Sequence, residues 1–345
     1  MTFSDHIHYF KDLFKDRCLT AEPDLQRYGS DETEDLCFPP QLVLKPETTE
    51  EVSGIMKYCN QHEIPVTPSG ARTGLSGGAL PIKGGVLLSM ERFHSILDID
   101  EKNHQVTTEP GVITQVLQEA VREKGLFYPP DPASKGSCFI GGNVAENSGG
   151  PKAVKYGVTL DYVLNLEVVL PNGEVIWTGA NVLKNATGYN LTQLIVGSEG
   201  TLAVVTKIVL KLIPHPTHDA LLLVPFFSAE QACEAVVAIF RAGITPSGLE
   251  FMERDALVWA QEFTQDFTIK VEDNHEAHLL IEVDGNDAAV IMQECESIVA
   301  VLEEFETDEV LFADSTAQKD GLWSLRRKVS EAVKAQSVYK EEDTV

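Results

Sequence analysis

The stretch TPSGARTGLSGGAL, residues 67–80, constrains this chain more than any other. Four glycines and several short hydroxyl side chains follow directly on the strand-like IPVTP. Glycine loses more conformational freedom on folding than any other residue, so a cluster of it marks turns or a close approach of backbone to something else. One reading is a mobile surface loop. The other is a loop whose bare N–H groups face an anion. Gly70, Gly74, Gly77 and Gly78, with Ser69, Thr73 and Ser76, would form a nest of successive N–H groups suited to a pyrophosphate, with Arg72 adding charge. Each N–H given to a charged oxygen contributes about 1.5–3 kcal/mol. A second tract with the same chemistry, PPDPASKGSCFIGGNVAENSGG at 129–150, adds the amides of Asn143 and Asn147. Two such tracts are harder to explain as plain loops than one. Neither is a known nucleotide signature: the chain has no GxxxxGK[ST], and no GxGxxG between a strand and a helix.

Periodicity organises the rest. In PETTEEVSGIMKYCNQHEIPVTP, Val52, Ile55, Met56 and Cys59 recur at helical spacing, and Thr48 with Glu51 has the pattern of a capping box, so a helix then a strand lead into the glycine loop. GGVLLSM and HQVTTEPG read as strands, and ITQVLQEAVREKG as a helix ending at Gly125. VLNLEVVL and EVIWTG, joined by Pro171-Asn172-Gly173, read as a hairpin, and LIVGSEGTLAVVTKIVLKLIP closes this half with a long strand. Beyond Pro214 and Pro216 the rhythm is simpler. The strand ALLLVPF precedes a helix with Ser228 and Gln231 as a capping box; then come LLIEVD, a helix over 287–304 with Ile291, Cys295, Ile298 and Leu302 on one face, and DEVLFA. This predicts strands layered under helices and a boundary near 217.

A chain of 345 residues has room for two ordinary domains, and 43% hydrophobic with 23% charged residues is globular. The formal charge of −26 repels phosphate backbones and anionic lipid, which argues against nucleic acid and membrane surfaces as partners but not against a small anion in a cleft. With no secretory h-region, no run of membrane-spanning length, and six scattered cysteines without a CxxC, the expectation is a cytoplasmic chain of reduced thiols, with Cys59 and Cys295 in the core. The HxxH pairs His215/His218 and His275/His278 have neither a glutamate at HExxH spacing nor a cysteine cluster nearby, so no metal site is expected from them.

PVTPSGARTGLSGGAL, YPPDPASKGSCFIGGNVAENSGG, KYGVTLDYVLNLEVVLPNGEV, NATGYNLTQLIVGSEGTLAVVTKIVLKLIP and LWSLRRKVSEAVK together resemble the FAD-linked oxidases of the vanillyl-alcohol-oxidase type. The likeness is to the branch of D-lactate dehydrogenase and the glycolate oxidase D subunit, with D-2-hydroxyglutarate dehydrogenase nearby. It runs in order from about residue 20 to the end. It implies an α+β fold: an N-terminal helical segment at 1–36, an FAD-binding domain of two α+β subdomains (PCMH type) at 37–216, and an α/β-layer substrate or cap domain at 217–345. By this resemblance Pro68, Ser69, Gly70, Ala71, Arg72, Thr73, Gly74, Ser76 and Gly77 wrap the FAD pyrophosphate. Pro132, Ala133, Ser134, Gly136, Ile140, Gly141, Gly142, Asn143, Ala145, Asn147 and Gly150 line the pyrophosphate and isoalloxazine. Glu199 and Gly200 lie near the adenosine end, and Val204 joins the cofactor-binding set. Relatives with covalent flavin carry a histidine or cysteine in these loops. The 68–78 loop has no histidine and Cys138 is not at a recognised linkage position, so the FAD is expected to be non-covalent.

In LWSLRRKVSEAVK, read as one helix, Leu322, Leu325, Val329 and Val333 form an apolar stripe with Arg326 inside it, Arg327 towards solvent and Ser330 one turn on. A buried guanidinium without an anion is costly, so Arg326 needs a partner: a protein carboxylate, or the carboxylate of a substrate held bidentately. The resemblance favours the substrate, with Arg326, Ser330 and Lys340 as its contacts. The implied reaction oxidises a small D-2-hydroxy acid, such as D-lactate or glycolate, to the 2-oxo acid by hydride transfer to flavin N5. The family's His-His-Gly segment, which supplies the catalytic base and metal ligands, is not among these residues. No base or metal ligand is therefore assigned, and the expectation extends to a fragment, or to a non-catalytic flavin-binding subunit of a glycolate-oxidase-like complex. A reductase of nucleotide-sugar precursors on the same fold is disfavoured, because those lack the Arg326-type helix. An iron–sulfur or other electron-transfer subunit and a homodimer are the expected protein partners.

Overall fold

A computed structural model describes residues 2–33, 36–313 and 315–336. They divide into two compact units. Among the described residues the first runs to Gly149 and resumes at Val158–His215; the second takes Gly150–Gly157 and the residues from Pro216 to Gln336.

In the first unit the helix Thr49–Gln61 starts where the Thr48 hydroxyl accepts the Glu51 N–H at 3.2 Å. The Glu51 carboxylate does not complete the box. It accepts the Glu47 N–H at 2.7 Å and two Arg17 N–H groups at 2.6 and 2.7 Å. Val52, Ile55 and Cys59 on this helix are buried with Leu42, Leu44, Val86 and Leu88. Those strand residues belong to a four-stranded sheet in the order Cys18–Leu19, Leu42–Leu44, Val86–Ser89, Val66–Ser69; the first pair is antiparallel and the rest parallel. An antiparallel five-stranded sheet follows: Ile96–Asp100, Gln105–Thr108, Val204–Lys211, Val163–Val169, Val175–Trp177. The hairpin between its last two strands turns at Gly173, φ +85°, where a Cβ would lie 2.8 Å from Lys57 Cβ. Phe10, Phe14 and Cys18 enter the same core as the Thr49–Gln61 helix. Each such fully buried aliphatic or aromatic side chain stabilises by about 1.5–3 kcal/mol.

The second unit is built on an antiparallel sheet in the order Gly248–Glu253, Ala277–Gly285, His218–Phe226, Leu311–Ala313. Strand alternation gives it two apolar faces. Ala220, Leu222, Val224 and Phe226, with Leu279 and Ile281, pack on the helices Ala229–Arg241 and Ala288–Leu302. Leu221, Leu223, Leu280 and Met252 pack with Leu257 and Ala260 of the helix Arg254–Thr264 and with Leu322 and Leu325 of the helix Thr316–Arg327. The strand at 248–253 and the helix after it were not read from the sequence. The helix read through Arg326 to Val333 is two: it ends at Arg327, Lys328 caps it, and Val329–Gln336 forms another.

The sequence boundary at 217 falls close to the Pro216 division, but it missed the excursion at 150–157. Buried carboxylates on strand Ala277–Gly285 hold that segment. Asp284 accepts from Lys155 Nζ and the Tyr156 hydroxyl, each at 2.7 Å, and Glu282 pairs with Lys152. Among the described residues no helix is long and apolar enough to cross a membrane.

Candidate functional site

A cleft in the first unit, about 1080 Å³ of atom-free space partly open to solvent, has both small-residue tracts in its walls. Strand Val66–Ser69 delivers the loop Gly70–Ala79 to one side. The short helix Ile140–Glu146 and the loop at Ser198–Gly200 form others. Of the residues read from the sequence, Pro68, Ser69, Gly70, Ala71, Arg72, Thr73, Gly74, Ser134, Gly141, Gly142, Asn143, Ala145, Glu199, Gly200 and Val204 line this cleft. Ser76, Gly77, Pro132, Ala133, Gly136, Ile140 and Asn147 do not. Gly150 belongs to the second unit.

The first loop has the chemistry of a donor nest. Among the described residues no main-chain N–H from Ala71 through Ala79 donates to a protein acceptor; the next donor is Leu80, to Gly77 O at 3.1 Å. These residues are partly buried, apart from the exposed Ser76, and successive N–H groups without a protein acceptor are donors available to an anion. At the loop's root the Ser69 hydroxyl is buried without a hydrogen-bond partner. Arg72 lines the same cleft at φ +60° and has no carboxylate at ion-pair distance among the described residues. Burial pushes its guanidinium below the usual arginine range, the sign of a charge short of compensation. Unpaired N–H donors, an orphaned hydroxyl and an uncompensated cation fit a diphosphate.

The second tract contributes shape more than donors. Gly141 gives its N–H to Pro110 O at 2.7 Å, and a Cβ there would lie 2.5 Å from Pro110 Cβ. Gly142 would have nothing within 4 Å of a Cβ, because it faces open space. The amides read as cofactor ligands have structural work. Asn143 Nδ2 donates to Thr114 Oγ1 at 2.6 Å, and Asn147 Oδ1 accepts the Leu160 N–H at 2.8 Å while Asn147 ends the helix at φ +52°. The walls also hold Met90, Pro110 and Ser198, which sequence reading missed, and Cys138, Phe139 and Glu146, which lie inside the 132–150 tract but were not singled out. Beside Pro110, Gly111 packs so closely that a Cβ there would lie 2.5 Å from Met90 O.

In the second unit Arg326 is half-buried and paired. Its Nε donates to Glu250 Oε2 at 2.6 Å, and its Nη2 lies 2.5 Å from the same oxygen in an ion pair. Glu250 lies on the strand the sequence did not reveal. Arg327 does not simply face solvent; its guanidinium lies 5.7 Å from the Trp323 ring centre, and Trp323 Nε1 donates to Glu282 Oε2 at 2.7 Å. Ser330 lies in the first turn of the following helix, and Lys340 lies outside the described residues. Of the HxxH histidines, His215 accepts from Arg122 Nε at 3.1 Å and His275 Nε2 meets Asp308 at 3.0 Å. Among the described residues no group of three His, Cys, Asp or Glu side chains could hold a metal.

Comparison with known proteins agrees with this geometry. Residues 40–179 match the family model of the FAD binding domain, and residues 215–345 that of the FAD linked oxidases, C-terminal domain. Over 88% of its length the chain is 40% identical to a D-lactate dehydrogenase of Anaerostipes hadrus, and over 87% it is 41% identical to the glycolate oxidase subunit GlcD of Bacillus subtilis. It spans 64% and 65% of those two proteins. A D-lactate dehydrogenase of Archaeoglobus fulgidus is 36% identical over 92% of the chain, which covers 70% of that protein. Among solved structures, p-cresol methylhydroxylase shares the fold with a TM-score of 0.78 at 20% identity, over 95% of this chain and 69% of that one. The chain therefore belongs to the FAD-linked oxidases, with an FAD binding domain followed by the family's C-terminal domain.

Proposed function

We propose that this chain holds FAD non-covalently in the first-unit cleft and serves the oxidation of a small D-2-hydroxy acid, such as D-lactate or glycolate, to its 2-oxo acid. The observation that carries the reading is the run of unpaired N–H groups from Ala71 to Ala79 beside Arg72 and the Ser69 hydroxyl. These groups would hold the diphosphate bridge. Gly142 leaves room beside it, and Glu199 and Gly200 would border the adenosine. Bound there, FAD would supply the hydride acceptor.

In the second unit Arg326 would hold the substrate carboxylate, with Ser330 and Lys340 as further contacts, fixing the orientation of the carbinol carbon. The Arg326–Glu250 pair limits how this happens. Two Arg326 nitrogens share a single Glu250 oxygen, so Nη1 remains to receive a second carboxylate. No residue of the chain is assigned as the base, and an iron–sulfur or other electron-transfer subunit is the proposed recipient of the electrons.

The pairing of Arg326 also favours a second reading, in which the chain binds flavin without turning over hydroxy acids. Anaerobic addition of D-lactate or glycolate to the FAD-loaded protein separates the two. Bleaching of the flavin band near ~450 nm means hydride has reached the ring, and an unchanged band with every small 2-hydroxy acid tried contradicts the dehydrogenase reading.

A further inference from the structure

The cleft raises a question its own lining does not answer: what holds Arg72 in place without cancelling its charge? A protein usually anchors a guanidinium with a carboxylate, which here would also neutralise the anion site. The structure uses an aromatic ring instead. Arg72 Cζ lies 4.4 Å from the centre of the Tyr28 ring, well inside the ~6 Å range of a cation–π contact. Tyr28 ends the helix Glu22–Tyr28, lies outside every tract singled out in the sequence, and is fully buried.

Tyr28 is itself fixed. Its hydroxyl donates to Glu91 Oε2 at 2.6 Å; Glu91 also pairs with Lys45 at 2.8 Å and accepts from Ser89 Oγ at 3.0 Å. Burial alone would raise the Glu91 carboxyl, but the bonds from Lys45, Tyr28 and Ser89 outweigh it and hold the group below its usual range. Glu91 thus stays charged while engaged with Lys45 and the phenol. The exposed Arg27 and the Glu91-paired Lys45 also lie 5.2 Å from the ring, so the phenol gathers cations while its oxygen is tied to the acid.

We infer that Tyr28 is the positioning residue of the anion nest: its ring seats the Arg72 guanidinium against the cleft and leaves that cation's N–H donors and charge for the diphosphate. The inference rests on the reading of the cleft as the FAD site. It assigns to the N-terminal helical segment a part in cofactor affinity.

The test is FAD titration of the full chain, followed by quenching of flavin fluorescence, with 4-fluoro-, 3,5-difluoro- and 3,4,5-trifluorophenylalanine placed at position 28 alongside Tyr28→Phe. Each fluorine drains the negative face of the ring at nearly constant shape. The Kd for FAD should rise stepwise along the series from Tyr28→Phe, which keeps the ring, loses the Glu91 bond as every member of the series does, and so sets its reference. Tyr28→Leu should weaken FAD by about five- to thirty-fold. Arg72→Met should cost at least about tenfold, and Tyr28→Leu added to Arg72→Met should add less than about twofold. A flat fluorination series with normal wild-type binding overturns the role of Tyr28 and leaves the cleft reading intact. Failure of the wild-type chain to bind FAD overturns both.

Discussion

Gly141 and Gly142 are neighbours on the short helix Ile140–Glu146, and the structure gives their alanine variants opposite consequences. At Gly141 a methyl group would sit 2.5 Å from Pro110 Cβ and 3.0 Å from Pro110 O, where carbon atoms normally keep about 3.5–4.0 Å. The helix and the Pro110 loop would have to part by about 1 Å. That stretches the 2.7 Å bond from Gly141 N–H to Pro110 O, and overpacking of this kind costs about 1–3 kcal/mol. At Gly142 nothing lies within 4 Å, and replacing a helical glycine with alanine contributes up to about 1 kcal/mol. For a unit of this size each kcal/mol moves Tm by about 2–4 °C. Gly141→Ala should therefore lower the Tm of the flavin-free protein by several degrees, and Gly142→Ala should leave it unchanged or raise it slightly. Cofactor binding should discriminate differently. The Gly142 methyl projects into the cleft proposed for FAD, and a steric cost of about 1–3 kcal/mol there weakens binding about five- to hundred-fold. Differential scanning fluorimetry and fluorescence titration with FAD measure the two effects separately. A Gly142→Ala variant that is fully stable and binds FAD as well as wild type would refute the placement of the cofactor. A Gly141→Ala variant with an unaltered Tm would refute the account of the Pro110 contact.

Arg326→Ala should raise KM for hydroxy acids at least about tenfold; an unchanged KM in steady-state assays removes Arg326 from the substrate site. Glu250→Gln tests the competing pair, since weakening the hold on Arg326 should lower KM, and a raised KM would show that Glu250 positions the guanidinium instead. His278 is fully buried with neither ring nitrogen hydrogen-bonded, and burial, with His275 and Arg254 nearby, pushes it down to about 4. The unfolded chain then binds the proton more readily, so stability is complete above about pH 6.5 and falls by about 3 kcal/mol as pH drops to 4. His278→Leu should flatten that acid limb in denaturant titrations at pH 7 and 4.5, and equal losses in both proteins would contradict it. Acid precipitation of the loaded protein should leave the yellow colour in the supernatant; colour that stays with the polypeptide would mean a covalent link.

Short-range chemistry was legible in the sequence. Thr48 and Ser228 cap the helices their positions suggested, Gly173 makes its turn, and both glycine tracts reach one cleft. Long-range polar pairing was not. The 150–157 excursion depends on Glu282 and Asp284, about 130 residues away, and nothing local to KAVKYG marks it. Arg326 announced a need for a partner, but Glu250 sits on a strand whose sequence hides its faces: GLEFME puts Glu250 on the more buried face with Gly248 and Met252, and leaves Leu249 and Phe251 on the more exposed one. The amides of Asn143 and Asn147 looked like ligands because asparagine in a glycine tract suits either a ligand or a cap, and here each makes a structural bond. Tyr28 carried no signal at all, since an aromatic residue at a helix end is ordinarily core.

The central claim is that the unpaired main chain from Ala71 to Ala79, with Arg72, receives a diphosphate. Equilibrium titration of the purified chain with FAD, repeated in the presence of ADP and of inorganic pyrophosphate, tests it most directly. One FAD per chain should bind saturably, with binding weakened competitively by both anions and weakened again in Arg72→Met. Absence of FAD binding, or binding indifferent to ADP, pyrophosphate and Arg72, would contradict it.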